Sequence, residues 1–213
     1  MTQTIQTLTD DESVRLLDAL KSTAAFGPKF RKGVRNYLIG LLMLDAGLRV
    51  GEVVTLRIDQ LILLGAPAQG IQVITLKQKK TTTRTVPATV RLKEAIARMY
   101  NSHWRHKDPD LCPFAFGYGA PLKILTTRQV ERIICTAGFK ALRRQVHPHM
   151  LRHTFATRLM ERAPIRVVQQ LLGHAAISST QIYQHPNSVD LKKAIDGLNG
   201  TDTKPANDPV GPA

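Results

Sequence analysis

The sequence predicts a mainly α-helical domain that carries one small antiparallel β-sheet. Most of the chain between Thr9 and Leu198 parses into helical segments with recognisable starts and stops, while only two adjoining runs alternate as strands do. A chain of 213 residues, 43% hydrophobic and 22% charged, can also bury one sizeable core without disulfide or metal staples.

Thr9-Asp-Asp-Glu12 is a capping box, in which the Thr oxygen and the Glu carboxylate each accept the other residue's backbone N–H. Val14, Leu17 and Leu20 then mark one face of a first helix, which ends before Gly27-Pro28. A second helix spans Lys29 to Ala46, apolar at its centre, with Gly47 as its C-cap. Ile71–Leu76 and Arg84–Thr89 alternate and are rich in β-branched residues, so they form a hairpin with a basic, Thr-rich connection. Further helices are expected at about 90–106, 126–138, 149–162, 164–172 and 177–184. The stretch Asp108–Pro121, with three prolines and two glycines, is expected to be a loop. A last helix, Val189–Leu198, puts Leu191, Ala194, Ile195 and Leu198 on one face. One domain over residues 1–199 and a disordered tail over 200–213 follow from this reading.

Charge narrows the function. Thirty Lys+Arg against 16 Asp+Glu leave +14 and a pI near 10.2, which attracts polyanions, nucleic acid first. Aromatics at 5% argue against a single-strand binder built on stacking platforms. The longest apolar run, Leu38–Leu44, is broken by Asp45 and is too short to span a bilayer. No basic amphipathic helix carries aromatic anchors for a membrane surface. Residues 1–12 lack the basic start and apolar core of a signal peptide, and Cys112 and Cys135 stand alone, so the expected setting is cytoplasmic. The sequence contains no GxxxxGK[ST], GxGxxG or HExxH.

The chemistry is carried by cationic and nucleophilic residues spread along the chain. Arg49 lies in Ala46-Gly-Leu-Arg-Val-Gly-Glu52, just past a helix end. His149 and Arg152 are three apart on one helical face of His149-Met-Leu-Arg-His153. Leu172-Gly-His174 closes a helix, and Tyr183 follows nine residues later in Thr180-Gln-Ile-Tyr-Gln184.

In this order and spacing, AGLRVGE, the lysine-bearing hairpin before RTVP, HMLRHTFAT, LLGH and TQIY resemble the tyrosine recombinase (phage integrase) family, over about residues 8 to 199. The resemblance implies a helical catalytic domain with a small antiparallel sheet that wraps duplex DNA and cuts and rejoins it through a 3′-phosphotyrosine, without metal or cofactor. Arg49 and Arg152 would clamp the non-bridging phosphate oxygens, for which the guanidinium fork is suited. Losing one such preorganised donor costs on the order of 10²–10³ in rate. Tyr183 would be the nucleophile, His149 a base or hydrogen-bond partner near it, and His174 a donor to the phosphate. The general acid would be a hairpin lysine, Lys79 by its place eight residues before Pro87, with Lys77 and Lys80 as the other choices. Glu52 would orient the cations, and His153 would pack or support from behind the site. Lys77, Lys80, Arg84, Arg143 and Arg144, with Lys29, Arg31, Lys32 and Arg35, are expected to contact DNA phosphates. In the family the last helix docks on a neighbouring protomer, which implies a homotetramer on DNA, and an accessory DNA-bending protein is a further implied partner.

Plainer readings stand beside these. Arg49 could pair with a surface carboxylate, His174 could cap its helix, and Tyr183 could be a core tyrosine like Tyr37, Tyr100 or Tyr118. His147, His149 and His153 could hold a metal, but no acid or cysteine completes the set nearby. The lysines at 77–80 could simply protect a strand edge. For the whole chain, the competing function is a DNA-binding accessory protein that keeps the fold with little turnover; a type IB topoisomerase is matched less well. Most family members carry a helical DNA-clamping domain ahead of the catalytic one, and only Met1–Leu8 precede the first capping box here. The expectation is therefore either a minimal, DNA-inverting type of recombinase or a truncated chain.

Overall fold

A helix that is apolar in every direction must be covered on all sides, and Leu38–Leu44 is such a segment. In the computed structural model these residues are all buried, and their helix runs through the middle of the fold. The structure describes residues 6–21, 24–77, 80–108, 111–119 and 122–173, with the backbone alone at 76, 77 and 80. The expected helices at 177–184 and 189–198 and the tail 200–213 lie outside the described residues.

In chain order come α1 (Asp10–Leu20), α2 (Gly27–Leu44), α3 (Val50–Val54), a 3-10 turn (Ile58–Gln60), β1 (Ile62–Leu63), β2 (Ala66–Pro67), β3 (Gly70–Lys77) and β4 (Lys80–Pro87). There follow α4 (Val90–Met99), a π-turn (Tyr100–Trp104), β5 (Gly117–Tyr118), β6 (Lys123–Ile124), α5 (Thr127–Leu142), α6 (Pro148–Met160) and α7 (Ile165–Leu172). Helices α1, α4 and α6 pack on α2, and α5 packs on α1. One apolar cluster runs through these helices and the inner face of the hairpin; Ala156, Val168 and Leu172 form a smaller one between α6 and α7.

The capping box closes as expected: the Glu12 amide donates to Thr9 Oγ1 at 3.2 Å and the Thr9 amide to Glu12 Oε2 at 3.0 Å. The buried face of α1 differs from the expected one. It is Ser13, Leu16, Leu17 and Leu20, while Val14 is exposed, because a strict three-residue step drifts off a helix of 3.6 residues per turn. The expected helix over 90–106 is α4 plus the π-turn, where the Trp104 indole N–H bonds the Ala115 carbonyl at 2.8 Å. The loop at 108–121 contains β5, which pairs with β6, and β1 pairs with β2.

The hairpin is antiparallel, with Ile71 opposite Val86, Val73 opposite Arg84 and Thr75 opposite Thr82. Ile71, Val73, Thr75, Arg84 and Val86 face inward, which fixes the register by burial.

Between α2 and α3 the chain turns at Gly47, with φ +61° and the Phe155 ring packed against its Cα. A Cβ there would penetrate that ring. Gly47→Ala is therefore expected to destabilise the fold by about 2–4 kcal/mol, the sum of left-handed backbone strain and overpacking, read as a lower urea midpoint.

Candidate active site

The turn at Gly47 delivers Arg49 to the N-cap of α3, in extended backbone conformation. From there the Glu52 carboxylate reaches back to it. Glu52 Oε2 accepts the Arg49 amide at 2.8 Å, and Oε1 accepts Arg49 Nη1 at 3.0 Å. The hairpin supplies the remaining partners of Glu52. Thr75 Oγ1 donates to Oε1 at 2.6 Å, and Arg84 donates Nη1 to Oε1 and Nη2 to Oε2, each at 2.8 Å. Five donors thus converge on one carboxylate whose side chain is 4% exposed. Burial alone would raise its pKa; the Arg84 hydrogen bonds and charge, the Thr75 hydroxyl and the Arg49 amide more than offset that, and hold it at about 2. Glu52 is therefore ionised at neutral pH. The Arg49 side chain remains 27% exposed above it.

The other side of this network is the C-terminus of α7. Arg84 Nε donates to the Leu171 carbonyl at 2.8 Å, and Arg152 Nη2 donates to the Leu172 carbonyl at 2.7 Å. Cations at the last carbonyls of a helix complement its dipole. Gly173 caps α7 at φ +63°, a backbone conformation that favours glycine, and a Cβ there would stand 3.1 Å from Arg84 Cδ. Arg152, buried on α6, also donates Nη1 to the Gly47 carbonyl, two residues before Arg49. The Arg49–Glu52 segment and Arg152, distant in sequence, are thus linked through the Gly47 carbonyl.

His149 lies one turn before Arg152 on α6 and is exposed, as is His147 at the N-cap. The His149 and His153 rings are tilted by 33° with centroids 6.2 Å apart. Burial first, then the charges of His149, Arg152 and His147, pushes His153 below the usual histidine pKa; burial and His149 do the same to His147. Among the described residues no group of three or more His, Cys, Asp or Glu is placed to hold a metal.

One expected DNA contact is corrected by the structure. Arg84 is an interior residue, its side chain 6% exposed and its guanidinium committed to Glu52, Thr75 and Leu171. Arg144, its side chain 36% exposed, bonds Glu12 through Nε and Nη2 at 2.8–3.0 Å and the Thr7 carbonyl, so it also pins the N-terminal segment to the end of α5. Arg143 is exposed at the left-handed C-cap of α5. Lys77 and Lys80 are opposite one another at the hairpin end. Lys79, His174 and Tyr183 lie outside the described residues. Sequence reasoning missed Thr75 and the interior place of Arg84; the strand period of two, counted back from Val86, was the available signal.

The model of the phage integrase family matches residues 6–189, the whole of the described region and beyond it through Tyr183. The chain belongs to the phage integrase family. Among relatives, the tyrosine recombinase XerD of Lacticaseibacillus casei is 38% identical over 164 residues, covering 75% of this chain and 53% of its own length. The crystal structure of XerA recombinase superposes with a TM-score of 0.69 at 29% identity, over 92% of this chain and 66% of that one. XerH recombinase, in a post-cleavage complex with a palindromic difH substrate, gives 0.64 at 27% identity, over 92% and 54%. The fold is the integrase catalytic-domain fold, and the chain spans about half the length of the curated relatives it matches. Among the described residues no helix of the family member is long and apolar enough to cross a membrane.

Proposed function

We propose that this chain is the strand-cleaving part of a site-specific tyrosine recombinase that acts on duplex DNA. The observation that carries the reading is the convergence of Arg49 and Arg152, from well-separated segments of the sequence, on one buried framework around Glu52, Gly47 and the α7 terminus. A phosphodiester under attack gathers charge on two non-bridging oxygens, and preorganised guanidinium groups are what that charge calls for. XerD is named a tyrosine recombinase, and XerH is a recombinase seen on cleaved DNA, which supports the same substrate class here.

The Tyr183 phenolate attacks the scissile phosphorus, a P–O bond to tyrosine forms, and the P–O5′ bond breaks. Lys79 gives its proton to the departing 5′-oxygen. A 5′-hydroxyl of the partner strand then attacks the 3′-phosphotyrosine and releases the tyrosine, so bond energy is kept and no cofactor is consumed. Arg49 and Arg152 clamp the phosphate, His174 donates to it, and His149 assists the nucleophile. Glu52 orients Arg49 without touching DNA, and His153 supports α6. Lys77, Lys80 and Arg143 bind flanking phosphates in this reading, and the protein works as a homotetramer joined by residues 189–198, with a DNA-bending protein as an accessory.

The test is incubation of the purified chain with nicked suicide duplexes tiled across DNA flanking its own gene. A protein–DNA adduct that survives denaturant supports the reading. Salt-sensitive binding without any adduct rejects it in favour of a DNA-binding regulator.

A further inference from the structure

We infer that Arg84 is a positioning residue for strand cleavage, holding Arg49 through Glu52 and the end of α7 through the Leu171 carbonyl; the inference rests on the recombinase reading of the site. Its guanidinium uses both Nη atoms on the two Glu52 oxygens and turns Nε onto the Leu171 carbonyl. The same carboxylate oxygens hold the Arg49 amide and Nη1, so Arg84 sets where the carboxylate stands and the carboxylate sets where Arg49 points. On the other flank, Arg84 and Arg152 grip successive carbonyls, Leu171 and Leu172, immediately before Gly173 and, next in sequence, His174. One planar group therefore ties together three segments that carry candidate reacting side chains.

A buried ion pair is by itself weak evidence of function, since a packed apolar pair often stabilises as well. What an apolar pair could not do is fix two directions at once. Lysine fails for a related reason: its three donors radiate from one nitrogen and do not reproduce a flat fork with a third donor at its base.

The experiment uses the full chain, with Arg84→Lys and, as a control in an ion pair elsewhere, Arg91→Lys, which perturbs the contact with Asp45. Duplex affinity and the single-turnover rate of adduct formation on saturating DNA are measured separately, well below each variant's Tm. Arg84→Lys is expected to bind DNA within about 3-fold of the unaltered chain and to cleave about 10–100-fold more slowly, as for losses of groups that orient a site from behind. A lysine variant that cleaves bound DNA at full rate, or loses rate and affinity together, overturns the inference.

Should Arg84→Lys fold poorly, the pair Glu52→Leu with Arg84→Met fills the same space with apolar atoms. Stability recovered with the rate still low supports positioning; rate recovered with stability overturns it. If the unaltered chain forms no adduct, the recombinase reading fails, and Arg84 is judged on Arg49 alone. Restricted rotation of the Arg49 guanidinium, seen in ¹⁵N spectra assigned with Arg49→Lys, is then expected to be lost in Arg84→Lys. Its retention rejects the positioning role as well.

Discussion

Tyr183→Phe is expected to bind duplex DNA nearly as well as the unaltered chain and to form no covalent adduct at all. The substitution removes one oxygen and leaves the ring. For binding, that is at most one hydrogen bond, about 0.5–1.5 kcal/mol or up to about 10-fold in affinity. In the proposed reaction it removes the one atom that forms the new bond to phosphorus. The other tyrosines have structural places of their own. Tyr37 is half-buried with the Lys21 ammonium 4.8 Å from its ring centroid, Tyr100 is half-buried in the π-turn, and the Tyr118 hydroxyl accepts from Gln129 at 3.5 Å. Denaturing gels of suicide-duplex reactions, with peptide mapping of any adduct, make the comparison. An adduct of undiminished yield in Tyr183→Phe would show that another side chain is the nucleophile.

The helices were legible wherever a local signal defined them. Thr9 with Glu12 marks the start of α1 and Gly173 ends α7, each through backbone chemistry that needs no knowledge of the rest of the fold. Errors came where the signal was short or rigidly counted. The ladders Ile62–Leu63 with Ala66–Pro67 and Gly117–Tyr118 with Lys123–Ile124 are two residues per strand, too short to show a period. The break at Tyr100–Trp104 leaves helical periodicity almost intact, and the bond its Trp104 indole makes with the Ala115 carbonyl leaves no local mark in the sequence.

The site was legible through its unusual residues and illegible through its ordinary ones. Arg49, Glu52 and Arg152 stand in motifs; the structure bonds Arg49 to Glu52 and Arg152 to the carbonyl of Gly47, in the same motif as Arg49. Arg84 looked like one more cation near a basic turn in a chain of net charge +14, where most arginines are solvated. Strand alternation pointed the other way: Val86 is inward, and Arg84 two residues earlier shares its face. An interior arginine requires an interior acid, and Glu52 was the acid already singled out. Taking the two patterns together would have paired them. Arg144 has no such signal, since its partner Glu12 is 132 residues away and was already engaged in a capping box.

Glu52→Ala is expected to cost about 3–5 kcal/mol of stability, because it leaves the buried Arg84 guanidinium without its counter-charge. In a domain of this size that lowers Tm by about 6–20 °C. Glu52→Gln should lose less, since it keeps the side-chain volume and one acceptor oxygen. The pH dependence identifies how much of the loss is charge. The carboxyl has its usual value of 4.5 in the unfolded chain and about 2 in the folded one, so the folded state favours the ionised form. That preference is worth about 3 kcal/mol; it is fully present above pH 4.5 and drains away as pH falls from there towards 2. Urea midpoints of the unaltered chain and Glu52→Gln should therefore be well separated at pH 7 and draw together below pH 4.5. A separation that stays constant through that range would mean that Glu52 stabilises by shape and hydrogen bonding alone, and that Arg84 does not depend on its charge.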